Sequence, residues 1–162
     1  MNENSRGMRV YMLRDTLKKH LSEHESVLSF LVKMPEFIKA NELPGDMILF
    51  TAEFFYRPEK ICEIVLSIAD DPLHVGRKEK HENCIFSRYA DSPGKTIVLN
   101  NVKTHPAFLE LDPRINAEIF CECEISADLA LILNMECSSD LVSEEASLWF
   151  SRIKEKINPP ID

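Results

Sequence analysis

Glycine is scarce in this chain, four residues in 162, and tryptophan occurs once. With so few glycines there is no glycine-rich phosphate loop, whose backbone must approach an anion closely. Basic clusters are short, none longer than Arg77-Lys78-Glu79-Lys80, and 27 acidic against 19 basic side chains give a formal net charge of −8. Such a surface repels phosphate backbones, so nucleic acid is not an expected partner. Long apolar runs are missing too, and Met1–Gly7 lacks the apolar core of a signal peptide. No membrane partner is expected, and the chain reads as soluble and cytoplasmic.

Reactive motifs are equally sparse. Five cysteines (62, 84, 121, 123 and 137) show neither zinc-ligand spacing nor a paired-cysteine redox motif. Cys121 and Cys123 fall two apart in a strand-like run, so they share a face and cannot easily bridge each other. Free, buried thiols in a reducing compartment are the expected state. His20 and His24 have metal-compatible i, i+4 spacing but no third ligand nearby, and read as solvent-facing or dimer-seam residues. No serine nucleophile motif occurs. No metal site and no enzyme activity are expected, and no cofactor is indicated.

What the chain does have is the composition of one globular domain: 44% hydrophobic and 28% charged residues. Leu13, Leu17, Leu21, Val27, Leu28 and Leu31 recur at helical spacing and predict a helix over 10–34, ended by Pro35. Runs rich in β-branched and aromatic residues predict strands near 47–56 and 60–69, paired through an Arg57-Pro-Glu hairpin. Leu73–Glu82 reads as a loop and Cys84–Ala90 as a short helix. Further strands are expected near 96–102, 117–125 and 129–137. A closing helix over 143–157 has Glu144 and Glu145 at the positive end of its dipole, with Leu148, Trp149, Ile153 and Ile157 as its apolar stripe. Residues 1–9 are expected to be a disordered tail, 10–158 one domain, and 159–162 a tail or the start of a linker. This order predicts an α+β fold on one antiparallel sheet.

Asn101-Val-Lys-Thr-His-Pro-Ala-Phe-Leu-Glu-Leu, Ala117-Glu118, Leu131-Ile-Leu-Asn134-Met-Glu136 and Val142-Ser-Glu-Glu stand in an order that resembles the GAF domain family of small-molecule sensors. The first half is similar only in its pattern of elements. The resemblance implies a central five- or six-stranded antiparallel sheet, terminal helices on one face, and short helices and loops over a pocket on the other. Met135 stands where the cyclic-nucleotide-binding branch has lysine, so that ligand is not implied.

Side chains alternate between the faces of a strand. Ile119, Cys121, Cys123 and Ile125 therefore oppose Glu118, Phe120, Glu122 and Glu124. Similarly, Ala130, Ile132, Asn134 and Glu136 form the polar-bearing side of the next strand. Glu118, Asn134 and Glu136 are the expected pocket residues, able to take an amine, a hydroxyl-rich ligand or a cation, while Glu122 and Glu124 serve to keep a strand soluble. Phe108 and Phe120 are candidate pocket walls. Arg114 is a candidate partner for a ligand carboxylate or phosphate. His105, a loop histidine before proline, reads as a turn element rather than a haem ligand. Glu118, Asn134 and Glu136 also match a glutamate and two aspartates of the family's enzyme branch, the free methionine-R-sulfoxide reductases. Those enzymes need a reactive cysteine in the loop before this strand, and Phe108–Asn116 has none.

The expected function is regulatory: a sensory domain that binds a small molecule and signals through its terminal helices to an output module or partner, as a homodimer. A scaffold used only for dimerisation is the alternative, and a reductase-like enzyme without the expected catalytic cysteine a minor one.

Overall fold

A computed structural model describes residues 9–40, 46–69, 75–89, 95–105, 113–141 and 143–157. Its strands are β1 (Arg9–Met12), β2 (Met47–Tyr56), β3 (Ile61–Ala69), β4 (Lys78–Lys80), β5 (Thr96–Asn100), β6 (Ala117–Glu124) and β7 (Leu129–Cys137). The helices are α1 (Arg14–Leu21), α2 (Glu25–Ala40) and α3 (Ser143–Ile157). The sheet runs β1-β3-β2-β7-β6-β5, with β4 also on β3, and every pairing is antiparallel. It is the expected α+β architecture, but with seven strands rather than five or six.

The apolar halves of the strands meet the helices. Phe50, Phe54, Leu66, Ile119, Leu131 and Met135 are buried in one cluster with Leu17, Leu21, Leu31 and Met34 of the first two helices and Ala146, Trp149, Phe150 and Ile153 of α3. Each fully buried side chain of this size contributes about 1.5–3 kcal/mol. The face that Ile119, Cys121, Cys123 and Ile125 present is the helix face, as alternation predicts.

The expected helix over 10–34 is instead three elements. Val10 and Tyr11 suit a strand, and β1 extends the edge of β3 in register Arg9↔Ala69 to Met12↔Leu66. Arg9, expected in a disordered tail, begins that strand; residues 1–8 and 158–162 lie outside the described ones. A turn at Ser22-Glu23 then separates α1 from α2. Pro35 does not end α2 but sits inside it. The proline forfeits one helical hydrogen bond, yet Leu31, Met34 and Ile38 all bury on the same face, and that burial outweighs the loss. In α3 the stripe is Ala146, Trp149, Phe150 and Ile153, whereas Leu148 stands 56% exposed. The strand expected to reach residue 102 stops at Asn100, and Val102–Thr104 form a 3-10 turn. Within the loop expected over 73–82, Lys78–Lys80 pair with Ile61–Glu63.

Candidate functional site

The other face of the sheet carries two small apolar clusters with a polar strip between them. Phe55, Cys62, Cys84, Ile85, Phe86, Phe120 and Ile132 form one cluster. Ile48, Leu49, Ala69, Val102 and Ile115 form the other. Between them lies a hollow of about 540 Å³, open mouth included, lined by Thr51, Glu53, Cys62, Ile64, Arg77, Glu79, Cys84, Ile85, Phe86, Glu118, Asn134 and Glu136.

Strand register builds the floor. Glu118 lies directly across from Glu136 on the β6–β7 ladder, and Asn134 lies across from Thr51 on the β7–β2 ladder. A bulge opposite Ala52/Glu53 leaves Val65 unpaired, so that Glu53 faces Ile64 and Phe55 faces Cys62. Without that extra residue the alternation would turn Cys62 and Ile64 towards the helices. Gly76 makes the turn next to the hollow: with φ at +85°, a region costly for other residues, it donates its amide to the Ile64 carbonyl at 2.8 Å. The Ile64 amide in turn donates to the Arg77 carbonyl at 3.0 Å, which brings Arg77 to the rim. There its guanidinium donates to Glu79 Oε1 at 2.7 and 3.1 Å.

The floor is charged in a place that disfavours charge. Glu118, Asn134 and Glu136 are 2%, 3% and 3% exposed. Burial, then the carboxylates of Glu136 and Glu53, push the Glu118 carboxyl well above the usual range, against the pull of the Asn134 amide. Burial likewise pushes Glu53 up to about 7, although the Thr51 hydroxyl and Arg77 favour its charged form. Like charges directly opposite on a ladder repel, and a buried carboxylate costs several kcal/mol unless it is compensated. Oε2 of Glu118 and Oδ1 of Asn134 are also buried with no hydrogen-bond partner in the protein. Asn134 Oδ1 can only accept, and so can Glu118 once it gives up its proton, so the hollow presents acceptors to a cation that enters it.

Of the residues singled out in the sequence, the structure brings Glu118, Asn134 and Glu136 together in this hollow. Phe120 is one layer below, edge-on to the wall residue Phe86 at 5.0 Å. Arg114 is exposed and is not among the lining residues, and Phe108 lies outside the described residues. Glu122 is half-buried and pairs with Arg57 at 3.2 Å; Glu124 is exposed. His20 packs its ring on Phe54 and Tyr56. Among the described residues, no group of three or more His, Cys, Asp or Glu side chains is placed to hold a metal, and no helix is long and apolar enough to cross a membrane. The sequence reading missed Thr51, Glu53, Cys62, Arg77, Glu79 and Cys84. Thr51 and Glu53 were visible as two polar residues, two apart, in an otherwise apolar strand. Arg77 and Glu79 depended on a turn that no periodicity announces.

No model of a known protein family matches the chain, and no curated protein matches its sequence. Solved structures do match. A type II free methionine-R-sulfoxide reductase from Thermoplasma acidophilum superposes with a TM-score of 0.58 at 12% identity, over 92% of this chain and 94% of its own. The GAF domain of an Acinetobacter phosphoenolpyruvate-protein phosphotransferase gives 0.58 at 13%, over 88% of each chain. That of a two-component sensor histidine kinase from Bacillus halodurans gives 0.56 at 12%, over 80% of this chain and 86% of its own. Identities this low speak for architecture alone, and the architecture of this chain is that of a GAF domain.

Proposed function

We propose that this domain is a sensor whose hollow binds a small ligand bearing an amine. The observation that carries the reading is the Glu118–Glu136 cross-strand pair, buried and joined by Glu53, with acceptor atoms of Glu118 and Asn134 left unpartnered. An ammonium group donates up to three hydrogen bonds and cancels the repulsion that otherwise keeps protons on these carboxyls. Arg77 at the rim offers a planar fork to a ligand carboxylate, in exchange for its bond to Glu79. Ligand binding would favour one arrangement of the roof over another, in proportion to its differential affinity. The helix layer on the far side of the sheet would pass that preference to an output module or to a second copy. GAF domains taken from a histidine kinase and a phosphotransferase, among the structural neighbours, support the expectation of an output module.

The test is thermal denaturation of the purified chain with a panel of amino acids and polyamines, each beside its N-acetylated form. A free amine should raise Tm where the acetylated form does not, because a ligand of the folded state alone must stabilise it. Glu118→Gln should weaken that ligand roughly 10- to 100-fold while raising the Tm of the free protein. If no amine in the panel shifts Tm and Glu118→Gln leaves the free protein unchanged, the hollow is not an amine site and the dimerisation scaffold becomes the better reading.

A further inference from the structure

We propose that Cys62 and Cys84 form a redox-active pair that a small peroxide converts to a disulfide, drawing the roof of the hollow onto its floor. This proposal does not rest on the amine reading. The two thiols come from elements of unequal stiffness. Cys62 lies inside β3, paired to Phe55 on one side and to Glu79 on the other. Cys84 lies in the link between two 3-10 turns, His81–Asn83 and Ile85–Tyr89. Both line the hollow, and both belong to the larger of the two apolar clusters on that face. Cys84 lies close enough to Cys62 to hold the Cys62 proton in place, and the Cys84 thiol donates to the Lys80 carbonyl at 3.5 Å. Both thiols thus open onto one hollow, which gives a small oxidant a way in.

The chemistry balances with the peroxide as the oxidant. Cys84 loses its proton to water in the hollow, and its sulfur attacks one peroxide oxygen. A sulfur–oxygen bond forms, the oxygen–oxygen bond breaks, and one water leaves after taking up the proton. The Cys62 sulfur then attacks the Cys84 sulfenic acid, the sulfur–sulfur bond forms, and the hydroxyl departs with the Cys62 proton as a second water. Two thiols lose two electrons and two protons in total, and one peroxide becomes two waters. Cys84 attacks first because the neighbouring Cys84 side chain and burial hold the Cys62 proton in place. Closing the pair to a bond of about 2.05 Å must move one element, and the short turn carrying Ile85 and Phe86 is the softer one. The other thiols are not so placed. Cys121 and Cys123 lie two apart on one strand under the helix layer, and Cys137 is buried in that same cluster.

The full chain should be treated with equimolar hydrogen peroxide, quenched with an alkylating agent under denaturing conditions, and digested with trypsin without reduction. The expected product is a cross-linked pair of peptides, 61–77 and 81–88, that dithiothreitol separates. Cys62→Ser and Cys84→Ser should each abolish it, whereas Cys121→Ser should not. Recovery of both peptides alkylated on free thiols, a sulfinic or sulfonic acid on either cysteine without the cross-link, or a cross-link involving Cys121, Cys123 or Cys137 in its place would overturn the proposal. Wild-type protein alone decides this, so a variant that fails to fold leaves the result standing.

Discussion

Glu53 is the residue whose ionisation can be followed most directly. Burial raises its carboxyl from the ordinary 4.5 to about 7. The unfolded chain therefore releases this proton near pH 4.5, while the folded chain holds it up to about pH 7. The folded state binds more protons across that window, so this group makes stability fall as pH rises from 4.5 to 7, with no further change above it. Glu53→Gln removes the titration. Urea denaturation at a series of pH values should show the variant matching wild type near pH 4 and exceeding it by about 3 kcal/mol at pH 8. A difference that is flat across the series would show that Glu53 ionises freely. His81 has the opposite sense: burial, then the Arg57 charge, lower its pKa, so its contribution is lost as pH falls below the unfolded value of 6.5. The comparison with Glu53→Gln cancels that term, since His81 is present in both proteins.

At the scale of elements, one side chain ties the sheet edge to the closing helix. Asn100, the last residue of β5, donates from Nδ2 to the Leu141 carbonyl at 3.2 Å and accepts the Leu141 amide at 2.8 Å. This two-way bond satisfies both backbone groups of a residue that is itself buried just ahead of α3. Asn100→Ala leaves them unpaired and should cost about 1–3 kcal/mol, read as a lower urea midpoint with an unchanged slope. Asn100→Asp keeps the acceptor and loses the donor, and should fall between the two. An alanine variant as stable as wild type would mean that α3 is held by its apolar stripe alone. The stripe is Trp149, Phe150 and Ile153, with Trp149 against Phe37 at 6.2 Å.

At the scale of the whole molecule, the large exposed apolar side chains among the described residues fall in few places. Val32 on α2 and Leu148 on α3 are 38% and 56% exposed, both on the helix layer, and Val10 and Tyr11 stand out on β1. Sedimentation should show a homodimer built on that layer, and Leu148→Glu should shift it to monomer without changing the far-ultraviolet circular dichroism. A wild-type monomer at tens of micromolar would remove the dimer from the proposed signalling route. Much of the fold could be read without coordinates. Runs rich in β-branched, aromatic and other apolar residues placed β2 and β7, and alternation identified the helix-facing half of β6. Glu118, Asn134 and Glu136 fell on one face because a period of two is enforced by backbone geometry wherever pairing is regular. Where pairing is irregular, local pattern carries no such information. Leu13 to Leu31 kept helical spacing across the Ser22-Glu23 turn, and nothing local distinguishes a turn that preserves the spacing from none. The sequence by itself therefore determined β2, β3, β6, β7 and α3 as elements, the two faces of β6 and β7, and Glu118, Asn134 and Glu136 as neighbours in the floor of the hollow. Tertiary structure alone decided that Val65 bulges, that Cys62 thereby joins Cys84 in the lining of the hollow, and that Gly76 carries Arg77 to the rim. Those facts depend on which strand pairs with which, and in what register, and chain-distant hydrogen bonds fix that only once the sheet has assembled.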